Sequence, residues 1–129
     1  MKFSYRFYEG KFLPIIPISL TENGKLIQMR AYVDTGASYS LFHAKVAEIL
    51  GLDVEKGILY ELVVDDGDIL KVYLHSVTIS LAGKEFKVTI GFSKNIGVGF
   101  NILGRKDIFD KFVICFNEKD KEISFTPRE

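Results

Sequence analysis

The chain reads as a mostly β protein, and three observations carry that expectation. β-Branched and aromatic residues gather in short runs of strand length, as a pleated and half-buried surface favours. Clusters of Gly, Asn and Asp interrupt those runs at short intervals and mark turns. Only two stretches, 44–50 and 106–112, read as helices, and both are short. The 129 residues are 47% hydrophobic and 26% charged, enough for one packed core and too few for two, so a single domain over 1–129 is expected.

Composition also removes several classes of function. Seventeen Lys plus Arg balance seventeen Asp plus Glu, which argues against a nucleic-acid partner or a protein held electrostatically on a membrane. Cys115 is the single cysteine and there are two histidines, so neither an intrachain disulfide nor a Cys/His zinc set can be assembled. The first seven residues include Lys2 and Arg6, and no apolar run approaches a signal segment or a membrane span. A cytoplasmic location is expected.

Taken in order, 14–20 is a strand, Glu22-Asn23-Gly24-Lys25 a hairpin turn built on Asn-Gly, and 26–33 the returning strand. Residues 44–50 carry helix formers with apolar positions three and four apart, and Gly51 supplies the stop. Strands 58–64 and 69–75 flank an acidic tip, Asp65-Asp66-Gly67-Asp68; strands 77–81 and 86–90 flank Ala82-Gly83-Lys84. A glycine-rich connection, 91–99, precedes Phe100-Asn101-Ile102-Leu103-Gly104 and the second helix, 106–112. Strands 113–116 and 123–125 close the chain as a last hairpin.

The informative segment is Tyr32-Val33-Asp34-Thr35-Gly36-Ala37-Ser38, in which an apolar strand delivers a carboxylate into a tight Thr-Gly turn. A lone Asp-Thr-Gly is a weak signal. Here it is followed, later in the chain, by the apolar-apolar-Gly segment Ile102-Leu103-Gly104, and the two in this order are much more specific.

On these residues the sequence resembles the retropepsin-like, retroviral-type aspartic proteases, in particular their non-viral cellular and prokaryotic branch. The resemblance runs over 14–112 and is most specific at 33–38 and 102–105. It implies a single-domain acid-protease barrel with two short helices, active as a homodimer on extended peptide or protein substrates, without metal or cofactor. Asp34 would be the catalytic carboxylate. Thr35 would bond across to the partner loop, and Gly36 would turn the backbone and offer its N–H to the carboxylate. Ala37 would border the substrate and, lacking a hydroxyl, has no hydrogen bond to give the carboxylate. Gly104 matches the glycine packed beside the catalytic loop, with Arg105 bracing it. The hairpin around Val64, Asp65, Asp66, Gly67 and Asp68 occupies the place of the flap, the lid over the substrate, although viral flap tips are rich in glycine and this one carries three acids. The closing hairpin also departs from the viral pattern, which ends in one short interface strand.

One chain holds one Asp-Thr-Gly, whereas the chemistry needs two carboxylates sharing a proton. The reading is therefore an aspartic endopeptidase with Asp34 from each of two subunits. The alternative is a catalytically weak protease-fold domain that serves dimerisation or peptide binding. Other motifs carry less. His43 near Ser38 and Ser40 lacks the glycines of a nucleophile elbow and suits a helix N-terminus. His75 reads as a strand residue, Cys115 as a small buried one, and Gly97-Val98-Gly99 lacks the Lys-Ser/Thr of a phosphate loop.

Overall fold

Apolar residues at every second position along the central strands let one sheet curl until it closes on itself. The computed structural model describes residues 1–63, 67–96 and 101–129, and all statements below concern those residues. In chain order the strands are β1 (Lys2–Ser4), β2 (Arg6–Tyr8), β3 (Lys11–Leu13), β4 (Ile15–Glu22), β5 (Lys25–Val33), β6 (Ser40–His43), β7 (Ile58–Val63), β8 (Ile69–Leu81), β9 (Lys84–Ser93), β10 (Asn101–Leu103), β11 (Phe112–Asn117) and β12 (Glu122–Pro127). One helix, α1 (Ala44–Ile49), follows β6, and a single 3-10 turn covers Val54–Lys56. No helix is long and apolar enough to cross a membrane.

Six strands form the barrel in the order β4-β5-β10-β6-β9-β8, and β8 pairs back onto β4 at Ser80, Ile79 and Thr78 to close it. Closure satisfies strand edges that would otherwise invite aggregation. The pairs β10–β5 and β6–β9 are parallel and the others antiparallel. Ile16, Ile18 and Leu20 of β4 point inward with Val77, Ile79 and Leu81 of β8 and Val88, Ile90 and Phe92 of β9. Phe42 meets Phe92 edge-on at 6.4 Å, and Ala44, Ala47 and Leu50 of the α1 segment plug the core. Each such large side chain stabilises the fold by about 1.5–3 kcal/mol when fully buried. The Asn23-Gly24 turn has φ of 53° and 72°, the paired left-handed geometry that Asn-Gly supplies in a two-residue hairpin. Asn23 also donates through Nδ2 to Leu50 O at 3.0 Å, tying that turn to the end of α1.

A second sheet, β1-β12-β11, packs outside the barrel through Phe86, Phe112 and Phe125. Both chain ends are bound in it: the Met1 ammonium donates to Phe125 O at 2.8 Å, and the Arg128 N–H to Lys111 O at 2.9 Å. β2 and β3 pair only with each other.

Several sequence expectations are corrected. Residues 106–111 form consecutive turns in place of a helix and Phe112 already opens β11, so the described residues hold one short α-helix. The cause is Asp107, whose φ of 65° breaks helical geometry while its Oδ2 accepts the Thr89 N–H from β9 at 2.9 Å. The stretches 69–75 and 77–81 are one strand, because Ser76 keeps its place in the ladder opposite Thr89. β9 runs to Ser93, beyond the expected start of the glycine-rich connection. β1, β2, β3 and β6 are strands of three or four residues, too short for a periodic signal. Cys115 is exposed, because it stands opposite Ser124 on the face of its sheet turned away from the buried Ile123 and Phe125. Val64, Asp65 and Asp66 of the acidic tip, and residues 97–100 of the dismissed phosphate-loop motif, lie outside the described residues.

The Asp107 anchor has a measurable consequence. Partial burial works against its ionised form, but the hydrogen bonds from Thr89 and the charges of Lys106 and Lys111 outweigh it and hold the carboxyl below its ordinary value. Asp107→Ala should lower stability at neutral pH by about 1–3 kcal/mol, since the Thr89 N–H loses its acceptor. Because the folded-state value is depressed, the ionic part of this stabilisation is complete above the ordinary Asp value of 3.8 and fades as pH falls through the folded one. Urea unfolding of both proteins across pH should show a gap that is flat near neutrality and narrows in acid.

Candidate active site

β5 ends at Val33, buried in the core, and places Asp34 half-buried at the start of an exposed loop. The loop turns back on its own carboxylate: the Gly36 N–H donates to Asp34 Oδ1 at 2.9 Å and the Ala37 N–H to Asp34 O at 3.3 Å. A Cβ on residue 36 would stand 3.3 Å from that Oδ1, so glycine keeps the approach open. This is the contact expected of Gly36. Thr35 is exposed, and its carbonyl accepts from Arg105 Nη1.

The second motif fastens this loop from beneath. β10 lies parallel to β5, pairing Ile102 with Tyr32 and Leu103 with Val33. The ladder continues past both strands. Asp34 N–H donates to Leu103 O at 2.9 Å, Arg105 N–H to Ala37 O at 2.9 Å and Lys106 N–H to Ser38 O at 2.9 Å. The buried Gly104 N–H donates to Ser40 Oγ at 3.0 Å, and Arg105 Nη2 reaches Ser38 Oγ at 3.3 Å. Gly104 and Arg105 thus lie against the Asp34 loop, and Arg105 holds it by backbone and guanidinium together.

Side chains that the sequence did not single out complete the surroundings. Tyr39, Leu41, Tyr60 and Leu62 join Gly36, Ala37 and Ser38 around a mainly apolar hollow of about 260 Å³. Tyr39 touches Tyr60 of β7 edge-on, with ring centroids 5.1 Å apart. The hairpin β7–β8 therefore rises beside the Asp34 loop: residues 69–72 pair with β7 alone, before β9 joins at Tyr73. At its described end Gly67 and Asp68 are exposed. Alternation along β7, Tyr60 then Leu62, was the signal that could have marked this wall.

A second hollow, of about 370 Å³, has Asp34 and Thr35 on one side, with Phe12, Phe116, Tyr5 and Glu118 also lining it. Glu118 is already paired. Lys121 Nζ lies 2.9 Å from its Oε2 and Tyr5 OH donates to its Oε1 at 3.2 Å. The Lys121 hydrogen bond, aided by the Lys121 charge and by Tyr5, holds this carboxyl below its usual range, a poor setting for a group that must share a proton. Burial, and then the Glu118 carboxylate, push the Tyr5 phenol above its ordinary value.

The serine-hydrolase elements are occupied elsewhere. His43 caps α1, its Nδ1 accepting the Lys45 N–H at 3.0 Å, and the Ser40 hydroxyl receives Gly104. His75 donates through Nε2 to Val54 O at 2.8 Å. The tight seat of Gly104 yields a prediction. A Cβ there would lie 2.5 Å from the Tyr39 carbonyl carbon and oxygen and 2.8 Å from Ala37 O, all backbone, so Gly104→Ala should force the two loops apart and lower stability by about 1–3 kcal/mol. Chemical unfolding followed by circular dichroism measures this.

The sequence over residues 17–105 matches the family described as Aspartyl protease (Asp_protease_2). No curated protein matches the chain significantly in sequence. Among solved structures, a retropepsin-like aspartic protease from Rickettsia conorii superposes with a TM-score of 0.72 at 19% identity, over 97% of this chain and 89% of that one. The EIAV protease in complex with the inhibitor HBY-793 gives a TM-score of 0.56 at 20% identity, over 81% of this chain and 92% of that one. The fold is therefore retropepsin-like, and with a profile match spanning most of its length the chain belongs to the aspartyl protease family.

Proposed function

We propose that the protein is an aspartic endopeptidase that works as a homodimer, each subunit contributing Asp34 to one shared site. The observation that carries this reading is the Asp34 loop itself: a carboxylate at a strand end, met by the Gly36 N–H at 2.9 Å and strapped by Gly104 and Arg105. Two such carboxylates brought within a few ångströms share one proton, because like charges so close cannot both ionise cheaply. The ionised one takes a proton from a bound water, and the protonated one hydrogen-bonds to the scissile carbonyl. Water attacks the carbonyl carbon as the protonated carboxyl gives its proton to the carbonyl oxygen; the roles then exchange, the newly protonated carboxyl giving its proton to the departing amine while the other takes one back from a hydroxyl of the tetrahedral intermediate. No metal or cofactor enters this scheme.

In this reading Thr35 braces the two loops against each other across the dimer, and Gly36 and Ala37 form the floor on which the substrate backbone lies. The β7–β8 hairpin is the lid, and its tip at Val64, Asp65, Asp66, Gly67 and Asp68 meets the substrate. An extended peptide can pair with such a lid as an added strand while alternate side chains enter pockets. The hollow among Tyr39, Leu41, Tyr60 and Leu62 favours a neutral, apolar side chain beside the scissile bond. Gly104 and Arg105 act through the loop they hold.

The acidic lid tip favours a second reading, a protease-fold domain that binds peptides or dimerises with little cleavage. One variant separates them. Asp34→Asn preserves shape and an oxygen for the Gly36 N–H but cannot act as base, so peptide cleavage should fall roughly 10²–10⁴-fold with unchanged folding and peptide affinity. Assays on a peptide library with wild type and variant check this. Wild-type protein that binds peptides without Asp34-dependent cleavage would select the second reading.

A further inference from the structure

The proposed site is incomplete in one chain, so some surface next to Asp34 must receive a second copy. The chain termini are already paired within the protomer: β1 and β11 flank β12, and Met1 and Arg128 are both hydrogen-bonded inside the same sheet or beside it. A different element borders the Asp34 loop, with Phe12 and Leu13 lining the same hollow as Asp34 and Thr35. The β2–β3 hairpin pairs with no other described strand, and an isolated two-stranded hairpin is at best marginally stable in water. Its cross-strand pair Phe7 and Phe12 stacks edge-on, centroids 5.2 Å apart, yet the two residues stay 65% and 51% exposed.

We infer that this hairpin is the surface through which two copies of the chain join to complete the site, the Phe7–Phe12 ridge of each entering a hollow of the other. This rests on the reading of an Asp34 pair shared between subunits. The argument for a second copy over another partner is self-complementarity. Each ring of the ridge borders a hollow: Phe12 the one of about 370 Å³ that holds Asp34, Thr35 and Phe116, and Phe7 one of about 330 Å³ with Arg6, Ile15, Met29, Arg30 and Asn101. A knob and a socket side by side on one surface are what an isologous two-fold contact requires, since each copy then gives and receives the same feature. Phe116, 39% exposed at the end of β11, extends the apolar patch to the edge of the Asp34 hollow. Burying exposed aromatic rings at the centre of such a contact is the commonest source of binding energy in protein interfaces, and it draws the two Asp34 loops together.

The test compares wild type with the double variant Phe7→Ser/Phe12→Ser by sedimentation velocity over a dilution series, with Leu26→Ser, an exposed apolar position on β5 outside the patch, as a control. The expected result is a dimer for wild type and control, a dimer dissociation constant raised at least about a hundredfold in the double variant, and a matching loss of cleavage at fixed concentration. Amide hydrogen exchange on unmodified wild type provides a measurement that no folding defect can confound: protection of residues 6–13 should rise with the dimer fraction. A double variant that dimerises and cleaves like wild type, or hairpin protection independent of concentration in a protein that does dimerise, overturns this interface and leaves the shared Asp34 pair standing. A wild type that stays monomeric at high concentration while cleaving peptides through Asp34 overturns both.

Discussion

The backbone ladder between Leu103–Lys106 and the Asp34 loop is the constraint on which the rest of the site depends. In the proposed reading the loop carries a catalytic carboxylate, which must be exposed to reach substrate, and exposed loops lack the neighbours that fix geometry. Here the fixation comes from below. Four N–H groups pass between the two segments: Asp34 to Leu103, Gly104 to the Ser40 hydroxyl, Arg105 to Ala37 and Lys106 to Ser38. The Arg105 guanidinium adds a clasp on Thr35 and Ser38. Gly104 is small because the backbones it joins leave no volume for a side chain. The barrel then serves as the rigid frame for this clasp. β5 and β10 are adjacent parallel strands in a closed sheet, and Asp107 pins the exit of the strap to β9.

Much of this was legible in the chain itself, and the reason is chemical. Asn-Gly at 23–24 demands a particular turn, and Asp-Thr-Gly after an apolar strand demands a particular loop, so both hairpin and carboxylate could be placed from residue types alone. The family pattern also paired Gly104 with that loop. What could not be read was tertiary. Nothing local says that Asp107 abandons a helix to accept from Thr89 eighteen residues away in sequence, or that Ser76 stays inside one long strand. Strands of three residues such as β1, β2 and β3 are stabilised by partners distant in sequence and leave no periodicity. Tyr39 and Tyr60 became neighbours only once the β7–β8 hairpin was seen to rise beside the Asp34 loop. Cys115 misled because alternation marks two faces without saying which one is covered.

In the proposed reading, the same geometry makes a single copy an incomplete catalyst. Asp34 faces a hollow whose other carboxylate, Glu118, is engaged by Lys121 and Tyr5 and cannot readily lend itself to a shared proton. A second Asp34 supplied by symmetry has the identical environment, which is the condition under which one proton is divided between two groups. Exposed Phe12 and Phe116 border the same hollow, so the apolar surface proposed for association lies beside the carboxylate.

The central claim, one active site built from two Asp34 residues, is tested most directly by mixing wild-type and Asp34→Asn chains, allowing subunits to exchange, and measuring cleavage at constant total protein. If each site needs both carboxylates, only dimers of two wild-type chains work, so activity follows the square of the wild-type fraction and about a quarter remains in an equal mixture. Activity that falls in direct proportion, leaving about half, would mean that each chain cleaves alone and would contradict the account.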